Sequence, residues 1–353
     1  MTESHPDPVP AERTGGSARP DLLQVEHLQV HFPIRGKGLF ARQRGQVRAV
    51  DDVSFAVRRG ETLGLVGESG SGKTTVGRAI LRAVPVTAGR VRFRGDQGEV
   101  DLLGLEGESL RRFRKHMQLI FQDPYASLNP RMTVRDIIAE PLEAGAQKMA
   151  KSEIDDRVRE TARRCRLNLE HLRRFPHAFS GGQRQRIGIA RALVSSPEFV
   201  VCDESVSALD VSIQADILNL LMDLQEELHT TYLFIAHDLS VVAQISTRVA
   251  VMYVGKLMEL APTDALFSRP AHPYTNALFS AIPHLDPTQA FEPLRLTGEI
   301  PNPASPPPGC RFQTRCPFAE DRCRNEEPAW REVGPDHLVA CHFAERLDFT
   351  RRP

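Results

Sequence analysis

The sequence carries no excess of charge of either sign: 45 lysines and arginines stand against 45 aspartates and glutamates in 353 residues. That balance gives the chain as a whole no electrostatic reason to seek nucleic acid or an anionic membrane. It also has no apolar run long enough to span a bilayer, no signal-peptide core, no heptad run and no internal repeat. The expectation is a soluble cytoplasmic protein that meets a membrane only through partners. Tight two-residue cysteine pairs, which zinc sites commonly use, are missing as well. What remains is an ordinary globular composition, 41% hydrophobic and 25% charged. Its length suggests about two or three units.

One stretch organises the rest. Gly67-Glu68-Ser69-Gly70-Ser71-Gly72-Lys73-Thr74 follows an apolar run (Leu63, Leu65, Val66) and leads, through Thr75, into a helical pattern (Val76, Ala79, Ile80). This is the phosphate-loop template in its proper context, strand before and helix after. Glycines let the backbone wrap a polyphosphate with its N–H groups turned inward, and the helix start adds its positive end. Lys73 then reaches the β- and γ-phosphates, and the Thr74 hydroxyl helps hold Mg²⁺.

Residues 1–20 lack apolar periodicity and read as a disordered tail. A strand (Leu23, Val25, Leu28, Val30, Phe32) follows, then a basic loop over Arg35–Arg48 and an alternating strand (Val53, Phe55, Val57). Phe32 suits a core position or a base-stacking one equally. Residues 133–178 have a helical pattern with charged faces and form an insert. The apolar strands Met117–Phe121, Phe199–Cys202 and Tyr232–Ala236 each end in polar residues, and helical patterns separate them. Such alternation argues for an α/β fold with a mixed, largely parallel sheet, whose ligands gather at the strands' carboxyl ends. The nucleotide domain is expected over 21–267, and residues 268–353 form a C-terminal domain.

The chemistry sits at those strand ends. Asp203 can hold Mg²⁺, while Glu204, one residue on and pointing elsewhere, can polarise an attacking water. Gln122 offers an amide to Mg²⁺ and the γ-phosphate; His237 can hold the γ-phosphate and fix the water. Ser180-Gly181-Gly182-Gln183 is a second anion-binding helix start. One loop already serves the phosphates, so this second cradle needs another nucleotide, which a two-fold dimer supplies.

In this order, the phosphate loop, Gln122, Phe179-Ser180-Gly181-Gly182-Gln183, Asp203-Glu204, Ser207-Ala208-Leu209-Asp210 and His237 resemble the ATP-binding subunits of ABC transporters. The resemblance covers about residues 22–267. It implies that Gly181 and Gln183 contact ATP across a dimer, that Asp210 couples the two sites, and that Phe32 stacks on adenine. Two departures, Thr74 for Ser and Ser205 where Pro is frequent, leave the chemistry intact.

Ser207 to Gln214, His272-Pro273-Tyr274-Thr275 and Gly309-Cys310-Arg311-Phe312 resemble the oligopeptide and dipeptide import ATPases, and within them the F-type subunit. That likeness implies a D-type partner ATPase, two transmembrane permeases, an extracellular binding protein and a place on the cytoplasmic face of a bacterial membrane. Nickel or another small solute remains an alternative cargo. A soluble ABC-type ATPase acting on nucleic acid or ribosomes is the rival class.

Cys310, Cys316, Cys323 and Cys341 are separated by five, six and seventeen residues. In a reducing compartment they read as a ligand set. Four thiolates and the Cys316-Pro317 pair suit a [4Fe–4S] cluster, which the resemblance also implies, with zinc or free thiols as alternatives.

Overall fold

The computed structural model describes residues 20–35, 43–96, 98–145, 148–281 and 294–349. The expected disordered tail, apart from Pro20, lies outside these residues.

Strands β1 (Asp21–Arg35) and β2 (Gln43–Arg58) form a long antiparallel pair, with Phe32 opposite Val47 and Val25 opposite Phe55. Of the loop expected over Arg35–Arg48, Arg35 and residues 43–48 belong to the ladder, and residues 36–42 lie outside the described residues. Cross-strand pairs such as Phe32–Val47 stabilise the ladder beyond the point where apolar alternation fades. The next strand, β3 (Thr62–Val66), runs into the phosphate loop and helix α1 (Lys73–Ile80). Then β4 (Ala88–Gly95) and β5 (Gly98–Asp101) complete an antiparallel sheet in the order β2-β1-β4-β5.

Helix α2 (Gly107–Phe113) precedes β6 (Met117–Ile120), after which the chain leaves the sheet for α3 (Val134–Glu143) and α4 (Lys151–Arg164). Short 3₁₀ turns at Leu169–Arg173 and Pro176–Ala178 lead into α5 (Gly181–Leu193). Between β6 and β7 the chain is thus helical, through α3, α4 and α5. From there β7 (Phe199–Asp203), α6 (Val211–Leu228), β8 (Thr231–Ile235), α7 (Leu239–Ile245) and β9 (Arg248–Tyr253) return to the sheet. The chain goes on through β10 (Lys256–Pro262), α8 (Thr263–Ser268), α9 (Pro273–Ser280), α10 (Asp321–Asn325), β11 (Arg331–Gly334) and β12 (His337–Val339).

The second sheet has the order β11-β12-β10-β9-β3-β8-β7-β6. Its segment from β9 to β6 is parallel throughout. Both faces of that segment are covered, so its strands read as unbroken apolar runs. Leu63, Leu65, Val201, Leu233 and Ile235 face the first sheet and α1, sharing a core with Val25, Val76 and Ile80. Val66, Val200, Tyr232 and Phe234 face the opposite way, toward α5, α6 and α7. At Gly64 the helix comes so close that a Cβ would lie 2.5 Å from the Val242 side chain.

The C-terminal region does not stand apart. Val339 of β12 pairs with Glu259 of β10, so the sheet continues past the boundary expected at 267. Fully buried Glu259 fastens the junction by accepting from the Ala271 N–H (2.6 Å), the His272 N–H (2.9 Å) and His337 Nε2 (2.7 Å).

Candidate functional site

The phosphate loop runs from the end of buried β3 to the start of α1. Three of its glycines need the left-handed half of backbone space: Gly67 (φ 149°), Gly70 (φ 78°) and Gly72 (φ 108°). Space is as restrictive as dihedral, since a Cβ on Gly67 would sit 2.0 Å from the Met252 carbonyl and one on Gly72 would sit 2.2 Å from that of Ala49. Gly72 caps α1 without any side-chain hydrogen bond, and no acidic residue occupies the first turn. The helix start is thus an uncapped positive end, open to an anion.

Lys73 is buried and folds back over the loop. Its Nζ donates to the carbonyls of Gly67 (2.7 Å) and Glu68 (3.0 Å), with Ser71 Oγ at 3.4 Å. Burial pulls its pKa below the ordinary lysine value, against the pull of Glu204, Asp203 and Glu68. A polyphosphate would give this ammonium stronger partners than the carbonyls it now uses.

The carboxylate pair diverges as expected, and the backbone is the reason. Glu204 has φ 47°, unusual for a residue with a side chain, and its N–H donates to the Ile235 carbonyl at 2.9 Å. That twist sends the two side chains to different neighbours. Thr74 Oγ1 donates to Asp203 Oδ1 at 2.7 Å, with an Arg78 nitrogen 3.6 Å from the other oxygen. Burial raises the Asp203 pKa, opposed by the Thr74 hydrogen bond and Arg78. Glu204 Oε2 instead accepts from Gln122 Nε2 at 2.7 Å, and His237 Nδ1 lies 3.4 Å from the same oxygen. Thr74, Asp203, Glu204, Gln122 and His237, drawn from distant stretches, therefore share one site beside Lys73. The oxygen donors of Thr74, Asp203 and Gln122 are of the kind Mg²⁺ takes.

Ser180 to Gln183 is built differently. Ser180 Oγ accepts from the Gln183 N–H (3.4 Å), and the Gln183 side chain accepts from the Ser180 N–H (3.1 Å), a closed capping box at the start of α5. Gly182 is required for packing, because a Cβ there would lie 2.6 Å from Ile213. Among the described residues, no hydrogen bond or ion pair joins this element to Lys73, Thr74, Asp203 or Glu204 of the same chain. Asp210 is exposed just before α6, and its side chain makes no capping bond. Phe32 is half-buried on β1 and packs on the first sheet's core, next to exposed Pro33.

All four C-terminal cysteines line one cavity of about 10 Å³, together with His272 and Phe312, and none forms a disulfide. Burial pushes the Cys310 thiol up to about 12 and the Cys316 thiol up to about 11, and raises Cys341 as well. The sequence-based ligand set does converge, and the turn that begins it needs Gly309, whose Cβ would meet the Cys323 carbonyl at 2.4 Å. Among the described residues, however, no group of three or more His, Cys, Asp or Glu side chains is placed to hold a metal ion. The cavity has room for about one water. The four thiols thus share one cavity and offer donors that suit a metal, without forming a metal-holding group as they stand.

Sequence reading missed the role of three C-terminal residues at the edge of the site. Tyr274 and Arg315 both contact Glu68 of the phosphate loop. Buried Arg311 pairs with Asp51 on β2, which also has His31 Nε2 at 3.3 Å. Tyr274 and Arg311 had drawn notice only as parts of family motifs, and Arg315 carries no local signal, since its partner Glu68 lies 247 positions away.

Residues 50–207 match the family described as ABC transporter, and residues 258–323 match the oligopeptide/dipeptide transporter C-terminal region. The chain is 50% identical over 325 residues to the oligopeptide transport ATP-binding protein AppF of Bacillus subtilis, covering 91% of this chain and 97% of that one. It is equally 50% identical over 321 residues to a probable peptide ABC transporter ATP-binding protein of Sinorhizobium fredii, covering 91% and 89%. A solved dimeric ATP-binding cassette, MJ0796 in a post-hydrolysis state with ADP and phosphate, superposes with TM-score 0.58 at 25% identity, over 68% of this chain and 98% of that one. The chain belongs to the ABC transporter family, as an ATPase subunit carrying the oligopeptide/dipeptide C-terminal region.

Proposed function

We propose that this chain hydrolyses ATP to power the import of peptides across a bacterial membrane, working at its cytoplasmic face beneath two permease subunits fed by an external binding protein. The observation that carries the reading is the pairing of Thr74 with Asp203 and of Gln122 with Glu204 beside an uncapped helix start. The peptide cargo is supported by the C-terminal region and by the names of the relatives.

In this reading Gly67 to Thr75 cradle the phosphates and Lys73 exchanges its carbonyl partners for phosphate oxygens. Thr74, Asp203 and Gln122 would hold Mg²⁺, which neutralises phosphate charge when bound. Glu204 takes the proton of the attacking water, and His237 orients that water and the γ-phosphate. Phe32 stacks on the base. Ser180 to Gln183 close over the nucleotide of a second ATPase subunit, a D-type partner, with Asp210 at the junction between the two sites. Binding closes the pair and hydrolysis reopens it, moving the insert around Gln122.

The four cysteines would hold a [4Fe–4S] cluster, or zinc, as thiolates. The support is the convergence of four unpaired thiols on one cavity. Iron and sulfide analysis of anaerobically purified protein tests it; an iron-free, zinc-free preparation rejects both metals. The transport reading is tested by reconstituting the chain with permease subunits and a binding protein of the same transporter and following ATP-dependent peptide uptake. Uptake of nickel but not peptides would overturn the cargo and leave the ATPase standing.

A further inference from the structure

The phosphate loop is gripped from outside its own domain, at its second residue. The Glu68 carboxylate receives both arms of Arg315, Nη1 at 2.7 Å and Nη2 at 3.1 Å. The Glu68 N–H donates to the Tyr274 hydroxyl at 2.9 Å, and its carbonyl accepts from Lys73 Nζ at 3.0 Å and from the Ser71 N–H at 3.1 Å. Every polar group of this residue is therefore occupied, and two of the three sets of bonds come from the C-terminal region. When Lys73 turns to phosphate, the Arg315 and Tyr274 bonds still hold the loop's entry from the C-terminal region.

The grip is backed by packing. The Arg315 side chain is 9% exposed, and its Nη1 also lies 3.4 Å from the Tyr253 hydroxyl. The Tyr253 ring packs 4.6 Å from Tyr274 and 5.4 Å from Phe312, centroid to centroid. Arg315 directly precedes Cys316, and Phe312 and Cys316 both line the cysteine cavity. A planar fork on a carboxylate fixes both distance and angle, which a single charge on a flexible stem does not.

We propose that Arg315 is a positioning residue for the phosphate loop: it holds Glu68 in the geometry that receives nucleotide, so that the cysteine-bearing segment sets the affinity for MgATP. The inference rests on the loop being the MgATP site. A loop ordered before binding spares the nucleotide the cost of ordering it, so loss of the grip appears as weaker binding.

The test is calorimetric titration of the full-length chain with MgATP, alongside thermal unfolding, for the wild type, Arg315→Met, Arg315→Lys, Glu68→Gln and the double variant Glu68→Gln/Arg315→Met. Arg315→Met is expected to raise Kd on the order of tenfold, with Arg315→Lys recovering part of the loss. The double variant should bind no more weakly than Arg315→Met, because Arg315 acts through Glu68. A purely structural role would lower the unfolding temperature and leave Kd unchanged, and that result overturns the proposal. So does a double variant whose loss is the product of the two single losses. If Arg315→Met does not fold, Arg315→Lys decides: a wild-type Kd rejects the grip. A wild type that binds no MgATP would overturn the ATP assignment itself, and is told apart by the missing heat before any variant is compared.

Discussion

Replacing Glu204 with Gln removes one charge and no volume, and the surroundings show why little else should change. The backbone at 204 is fixed by its own N–H on the Ile235 carbonyl (2.9 Å) and by Ser207 Oγ on its carbonyl (2.9 Å), neither of which involves the side chain. The amide oxygen of the variant can still accept from Gln122 Nε2, now 2.7 Å from the carboxylate. What is lost is the ability to take a proton from water. General-base assistance contributes about 10²–10⁴ in rate, or about 3–5 kcal/mol of transition-state stabilisation. Lys73, Thr74 and Asp203 keep their contacts, and the phosphates meet one negative charge fewer, so MgATP should bind at least as tightly as before. Phosphate release by the assembled transporter at saturating MgATP should fall by that factor, while calorimetric Kd holds or tightens. Turnover near the wild-type rate would remove Glu204 as the base. Loss of binding would instead make it a ligand of the ground state.

Thr74→Val leaves the Asp203 carboxylate, whose pKa burial already raises, without its 2.7 Å donor. ATP affinity should become nearly indifferent to Mg²⁺, with a loss of roughly tenfold measured by titration with and without the metal. Gly64→Ala would put a methyl 2.5 Å from Val242 and 2.7 Å from Ser246 Oγ. A cost of about 1–3 kcal/mol in urea unfolding is expected, and an unchanged midpoint would show that α7 yields freely. His272 is buried with its pKa lowered to about 3 by desolvation, while its Nδ1 accepts from the Tyr274 N–H. The unfolded chain takes up a proton below about pH 6.5 and the folded one does not. Stability from this group is thus complete above that pH and falls by up to about 1.4 kcal/mol per pH unit as acid is added, until about pH 3. His272→Asn keeps an acceptor for the Tyr274 N–H and removes the titration, so its acid unfolding midpoint should move to lower pH.

The parts of the site that sequence reading reached are those with local causes. Gly67, Gly70 and Gly72 announce positive φ, and Phe199–Asp203 and Thr231–Ile235 announce strands buried on both faces by having no polar break. Once those strands are parallel neighbours, their ends must lie together, which is why Asp203, Glu204 and His237 meet Thr74 and Gln122. The β1–β2 hairpin was longer than its alternation suggested, because ladder pairs such as Phe32–Val47 are a property of two strands and not of either alone. The domain boundary at 267 was drawn from composition. Composition cannot register that β12 supplies the next rung beside β10. The partners of Arg315 and Arg311 were illegible for the same reason: a charged residue next to a cysteine looks solvated until the carboxylate it faces, 247 or 260 positions away, is brought to it.

The two helix starts that sequence reading treated alike prove to be in different states, and the difference assigns them different tasks. At α1 the cap is a glycine, no side chain occupies the free N–H groups, and the nearby cation is spent on carbonyls. An anion arriving there displaces only weak partners. At α5 the Ser180 hydroxyl and the Gln183 amide already satisfy each other's backbone. Breaking such a box costs about 1 kcal/mol, so an anion alone gains less there than at α1. A nucleotide should therefore load first on the phosphate loop, and Ser180 to Gln183 should engage only when a second subunit presents one already bound. Ser180→Ala separates the two events: it removes the hydroxyl that accepts from the Gln183 N–H in the box and would donate to a second subunit's phosphate. Calorimetric MgATP binding by the single chain should stay within about twofold of wild type, while turnover in the assembled complex falls by about tenfold or more. Equal losses in both measurements would place Ser180 at its own chain's nucleotide and refute the division.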